Sequence, residues 1–144
     1  MAARKRAVGS KKGKAAADAG PALPSFAIAH VVLRVADVRS SAAFYDLLGL
    51  RPVWREDGIA ILELRGGTHL LLFPSKKREK GERTAPFDLM ADDLAAAHAS
   101  VMAVGLSPSA VGFEPRGGHD FFTVADPDGN RITIYSSHTE GRPV

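Results

Sequence analysis

The sequence contains no cysteine. That excludes a disulfide framework, a thiolate metal site and a Cys nucleophile together. It also lacks any apolar run near the roughly eighteen residues of a membrane span; the strongest, Leu70 to Phe73, is strand-sized. The first residues carry charge with no apolar core behind them, unlike a secretory signal. The compartment these absences point to is the cytoplasm. What remains, 144 residues at 45% hydrophobic and 24% charged, suits one globular domain.

The net charge of +3 is unevenly placed. Residues 1–24 hold six basic side chains (Arg4, Lys5, Arg6, Lys11, Lys12, Lys14) against Asp18, so the leader is +5 and the other 120 residues are −2. The leader is Ala, Gly and Lys with almost nothing large to bury, and it reads as a disordered basic tail. Such a tail can make weak, non-specific contact with nucleic acid through phosphates. A second basic stretch, Lys76 to Arg83, alternates sign, has no interleaved aromatics and reads as a solvated loop.

An internal repeat organises the remainder. Asp37 and Asp93 are 56 residues apart, as are Gly49 and Gly105, with no gap between. In each copy an Asp caps a helix of about three turns. A Gly able to take positive φ stops it, and Pro52 or Pro108 prevents its resumption. Phe44, Leu47 and Leu48 mark the buried stripe of the first helix, and Leu94, Ala97, Val101 and Val104 that of the second. Strand-like stretches bracket each helix: Phe26 to Val35, then 51–56, 59–64 and 68–73; Phe87 to Ala91, then 109–113, 120–125 and 131–136. Asp126-Pro127-Asp128-Gly129-Asn130 is a hairpin turn. The predicted fold is α+β, βαβββ twice over. The predicted organisation is a leader at 1–24 and a domain at 25–144, with module one at 26–74, a loop at 75–85, module two at 86–137 and a tail at 138–144.

His30-Val-Val-Leu-Arg-Val-Ala-Asp-Val38, then Ala43-Phe-Tyr-Asp-Leu-Leu-Gly-Leu50, resembles the opening of the vicinal oxygen chelate superfamily of glyoxalases, bleomycin-resistance proteins and extradiol dioxygenases. Phe122-Thr-Val-Ala-Asp-Pro-Asp-Gly-Asn-Arg-Ile-Thr-Ile134 is similar to its last hairpin. The resemblance covers about residues 26–137. It implies a cup-shaped mixed sheet with helices on its outer face. It also implies a divalent metal (Zn, Fe, Ni or Mn) held by side chains from the first and last strands of each module. Its functions span lyases, dioxygenases, transferases and metal-free binders, so fold alone does not select one.

Set on this sequence, the first-strand ligand falls on His30, and the fourth strand of module one offers His69, provided its register turns that ring inward. The 56-residue offset carries the position of His30 to Pro86, and the last ligand position falls on Thr133, where relatives carry Glu. Proline has no ligating side chain and Thr is a poor ligand, so two of four expected ligands survive. Asp88, two residues past Pro86, and His119, on the face of Phe121 and Thr123, are candidates for a third ligand or a general base. Arg34 should face the same way as His30 and would want an anion such as a substrate carboxylate. Trp54 and Phe73 could wall a pocket or belong to the core, while Thr123 and Thr133 would line the cup. His98 reads as structural, His138 as a tail residue that closes the cup or stands free, and Asp37 and Asp126 as cap and turn residues.

Two functions follow from the resemblance. One is a metal-assisted lyase, isomerase or dioxygenase working through His30 and His69. The other is a metal-free binding or resistance protein for a small molecule, for which the mildly acidic domain would suit a cationic ligand. In either case a homodimer is expected, because relatives complete their cups between chains and open edge strands invite pairing.

Overall fold

Two helix-capping aspartates 56 residues apart open two copies of the same unit. The computed structural model describes residues 26–76 and 82–138. The basic leader, the centre of the charged loop and the end of the tail lie outside the described residues. The elements run β1 (His30–Val35), α1 (Val38–Leu47), β2 (Arg51–Glu56), β3 (Ile59–Glu63), β4 (His69–Pro74), β5 (Arg83–Thr84), β6 (Leu89–Ala91), α2 (Leu94–Ala103), β7 (Gly112–Glu114), β8 (His119–Ala125) and β9 (Asn130–Ser136). One mixed sheet has the order β1-β4-β3-β2; the other has β5-β9-β8-β7, with β6 also paired to β9. In each unit the first strand lies parallel to the last, which a crossover helix permits.

The caps act as the repeat predicts. Asp37 accepts from the Ser40 amide at 2.8 Å and Asp93 from the Ala96 amide at 2.9 Å. At the other end, Gly49 and Gly105 take φ of 101° and 84°. Leu50 N then bonds Tyr45 O, and Leu106 N bonds Val101 O, so both helices close on the same six-to-one bond.

The core draws on both units: Leu33, Val35, Leu62, Leu70 and Leu72 from the first, Phe122, Val124, Ile132 and Ile134 from the second. The helix stripes differ from expectation. Leu47 is 52% exposed and Val104 44%, whereas Tyr45 is fully buried beside Phe44. The helix is rotated so that the aromatic ring, larger in area than leucine, takes the interior position.

The two modules are joined by matching contacts. The β3–β4 turn of module one supplies Arg65, which pairs with Asp92 at the β6–α2 junction of module two. In return, the β8–β9 turn supplies Asp128, whose carboxylate accepts from Ala36 N, at the β1–α1 junction, at 2.6 Å. The hairpin of each half therefore grips the strand–helix junction of the other, as a pseudo-twofold requires.

The first strand of module two departs from the predicted stretch Phe87 to Ala91. It is split into β5 and β6, both parallel to β9 but out of step by two residues: Thr84 faces Arg131, and Leu89 faces Ile134. Pro86, which has no amide hydrogen to give a ladder, lies in the interruption. Module one likewise begins later than expected, at His30, and Phe26 and Ile28 ahead of it are exposed.

Candidate functional site

Strands β1, β3 and β4 of the first sheet bury one set of side chains and present the alternate set outward, while the edge strand β2 is exposed throughout. Leu33, Val35, Ala60, Leu62, Leu70 and Leu72 are buried; their neighbours along each strand make the opposite face. Three rows cross that face. His30 stands opposite His69, Val32 opposite Leu71 and Arg34 opposite Phe73. Glu63 stands opposite His69 and Ile61 opposite Leu71. Arg51 is opposite Glu63 and Trp54 opposite Ile61, after a bulge between Pro52 and Trp54 that lets the edge strand bring the indole into line. The result is a polar row (Arg51, Glu63, His69, His30), an apolar row (Trp54, Ile61, Leu71, Val32) and a third row that ends in Phe73 and Arg34.

The parallel register settles how His69 is turned: it shares a face with His30, the two ring centroids 5.8 Å apart and tilted by 39°. Nε2 of His69 is 3.8 Å from Glu63 Oε1, an ion pair when the ring is protonated. Glu63 is held from its other side by Arg51, whose Nε donates to it at 2.8 Å. Glu63 and Arg51 were not anticipated as site residues. Alternation places Glu63 on the face of Ile59 and Ile61, but its position opposite an imidazole depends on the pairing of β3 with β4, which alternation does not specify.

Arg34 and Phe73 also meet, with the guanidinium carbon 5.9 Å from the ring centroid and Nη1 donating to the Pro74 carbonyl at 3.4 Å. Trp54 is half exposed on this face and is not part of the core.

The remaining candidates lie in module two. His119 shares a face with Phe121 and Thr123, and Thr123 stands opposite Thr133. The His119 ring contacts the Ser136 carbonyl through Nδ1 at 2.8 Å and stacks on His138 with centroids 3.9 Å apart. Tyr135 adds a second ring at 5.5 Å, and Phe121 lies beside Tyr135 at 5.9 Å. This half of the site is therefore aromatic. Gly112, opposite Phe121, accommodates it: a Cβ there would lie 3.2 Å from the phenyl ring. Asp88 is exposed in the link between β5 and β6, outside any strand. His98 is structural, bonded to the Ser109 carbonyl at 2.9 Å and set edge-on to Phe122.

The donor set bears directly on the metal expected from the resemblance. Among the described residues no three His, Cys, Asp or Glu side chains converge as ligands. His30 and His69 are brought together, while Asp88 and His119 do not join them in such a set. A cleft of about 760 Å³ opens elsewhere, between the start of α1 and the β2–β3 hairpin, lined by Arg39, Asp57, Ala42 and Ala60 among others. No imidazole lines it.

The Glyoxalase/Bleomycin resistance protein/Dioxygenase superfamily matches residues 27–134, and the chain belongs to this family. Comparison with curated proteins yields no match. Among solved structures, the chain is similar to a lactoylglutathione lyase from Agrobacterium tumefaciens (TM-score 0.64, 23% identity, 82% of this chain and 98% of that one). It is similar to a bleomycin resistance determinant encoded on the transposon Tn5 (0.64, 26% identity, 78% and 99%). It also resembles a bleomycin-binding protein solved in complex with bleomycin (0.60, 26% identity, 80% and 100%). Among the described residues no helix is long and apolar enough to cross a membrane.

Proposed function

We propose that this chain is a small-molecule-binding member of the superfamily that needs no metal to bind, with the outward face of module one as its ligand surface. The observation that carries this reading is the row pattern itself: an apolar band of Trp54, Ile61, Leu71 and Val32 between a polar row and Arg34. Apolar area in the middle supplies affinity, and polar groups at its margins supply orientation. Pro86 and Thr133, in place of two expected ligands, favour binding without a metal. The aromatic face of module two, with Phe121, Tyr135 and Thr123 opposite Thr133, would form the other wall.

A homodimer completes that site. Val32, Val53, Trp54 and Met90 are each 45–52% exposed, more apolar surface on two sheet faces than a monomer leaves uncovered without use. A second copy set about a twofold would cover both faces. A cytoplasmic setting accords with the cysteine-free sequence. The experiment is titration of Trp54 fluorescence with amphiphilic aromatic compounds, alongside sedimentation equilibrium. Quenching that Leu71→Asp abolishes supports the reading; absence of quenching across the panel, or a monomer at high micromolar concentration, contradicts it.

A second reading keeps the metal, and the register of His30 opposite His69 favours it. Those two residues would be the protein's ligands, and Asp88 or His119 would have to move to become a third ligand or base. A bound divalent ion would polarise a substrate oxygen in lyase, isomerase or dioxygenase chemistry. The donor set in the described residues is incomplete, so no step is assigned to it. Elemental analysis after dialysis against Zn, Ni, Fe(II) and Mn separates the readings: a full equivalent of metal that His30→Ala removes supports the enzyme, and a trace unaffected by that change supports the binder.

A further inference from the structure

Aspartate is followed by glycine twice in this chain, at Asp57-Gly58 and at Asp128-Gly129. Both pairs sit in hairpin turns, the first between β2 and β3 and the second between β8 and β9, and their glycines take φ of 85° and 81°. Their surroundings differ. The second pair is fastened at each group that could react. The Asp128 carboxylate accepts from the Ala36 amide at 2.6 Å, and its own amide donates to Asp126 Oδ1 at 2.9 Å. The Gly129 amide donates to the Asp126 carbonyl at 2.9 Å.

The first pair is open. Among the described residues the Asp57 carboxylate meets Arg39 alone, 3.8 Å away, and both side chains are almost fully exposed. Such a pair is screened by water and holds neither group firmly. The Gly58 amide makes no hydrogen bond among the described residues, and no atom lies within 4 Å of where a Cβ would stand. Glycine also carries no side chain to hinder approach of its nitrogen.

We propose that Asp57-Gly58 is a modification site, where the folded chain isomerises to isoaspartate while Asp128-Gly129 is spared. The Gly58 nitrogen adds to Cγ of the protonated Asp57 carboxyl. The N–Cγ bond forms, and the amide hydrogen leaves with the carboxyl hydroxyl as water, closing a succinimide. Water then opens the ring at either carbonyl. Attack at Cγ restores Asp57. Attack at the α carbonyl breaks its bond to the Gly58 nitrogen, so the main chain runs through the former side chain and an α-carboxylate is set free. That carboxylate is the substrate class of a methyltransferase that esterifies isoaspartyl residues with S-adenosylmethionine, and the exposed hairpin tip is where such an enzyme would engage this protein. Isomerisation adds one methylene to the main chain where only two residues join the strands, next to the paired Glu56 and Ile59. A two-residue hairpin loop accepts few backbone geometries, so β2 loosens from its tip. Trp54, opposite Ile61, lies two rungs along.

The test ages the full chain at neutral pH, folded and in urea, and digests it with trypsin, which separates the two sites into peptides 56–65 and 117–131. Isoaspartate in each peptide is then labelled with an isoaspartyl methyltransferase and radiolabelled S-adenosylmethionine. In the folded chain, label should build with time in 56–65 while 117–131 stays at its starting level. In urea, where the hydrogen bonds around Asp128 are gone, both peptides should gain label. Asp57→Glu, whose longer side chain closes a ring far less readily, should abolish label in 56–65. Emission of Trp54, the single tryptophan, should drift as the parent ages and hold steady in this variant. Equal label in the two peptides of the folded chain, label in 56–65 that survives Asp57→Glu, or no label in the folded chain overturns the proposal. Label without drift of Trp54 overturns the loosening of β2.

Discussion

The phenol of Tyr45, on the helix of module one, donates a hydrogen bond at 3.0 Å to the buried carboxylate of Asp126, in the closing hairpin of module two. The same carboxylate accepts from Asn130 Nδ2 at 2.7 Å and from the Asp128 and Asn130 amides at 2.9 and 2.8 Å. A residue read from sequence as a turn former thus also ties the halves together.

Burial, and then the charge and hydrogen bond of Asp126, push the Tyr45 phenol far above its ordinary value. The unfolded chain releases this proton near pH 10, and the folded chain does not. The stability it contributes is complete below about pH 10 and declines as pH rises further. Tyr45→Phe should cost about 1–2 kcal/mol at neutral pH and should flatten the alkaline decline; urea midpoints from pH 7 to 11 for both proteins check this.

Ser41 is buried on α1, and its hydroxyl has no hydrogen-bond partner among the described residues. Replacing it with alanine removes an unsatisfied polar group and improves helix propensity. Ser41→Ala should raise stability by about 0.5–1 kcal/mol, read as a higher thermal midpoint. An unchanged or lower midpoint contradicts the account.

Leucines on the same unit should behave in opposite ways. Leu62→Ala empties a fully buried site and should cost about 2–5 kcal/mol. Leu47→Ser alters an exposed one and should change stability by no more than about 0.5 kcal/mol. Chemical denaturation of both variants tests the observed helix rotation against the stripe that periodicity suggests.

Gly117 supports the position of His119. A Cβ at 117 would lie 2.8 Å from His119 Cδ2 and 3.0 Å from a Glu114 carboxylate oxygen. Gly117→Ala should cost only about 1 kcal/mol, since both neighbours are movable side-chain ends. It should nonetheless turn His119 off His138, visible as a change in the ring-current shifts of both imidazoles by proton NMR.

Legibility followed the range of each signal. Caps and stops are local chemistry, so Asp37, Gly49, Asp93 and Gly105 could be read before any fold was known, and with them the duplicated βαβββ unit. His30 was singled out by the family resemblance rather than by local chemistry. Pairing between strands is not local: the opposition of Glu63 to His69 and the two-residue slip between β5 and β6 depend on register, which hydrophobic alternation leaves open. Tyr45 was missed because helical periodicity gives a stripe about a turn wide, and packing against Phe87, at 6.3 Å in the other module, chooses within it.

The interrupted strand around Pro86 marks where the two copies part ways. A gap in the ladder makes no demand on the amide it omits, so a proline that would break a continuous pairing with β9 is carried there without a lost hydrogen bond. The first copy has no such gap: β1 pairs with β4 without interruption from His30 to Val35, and a proline inside it would forfeit a rung.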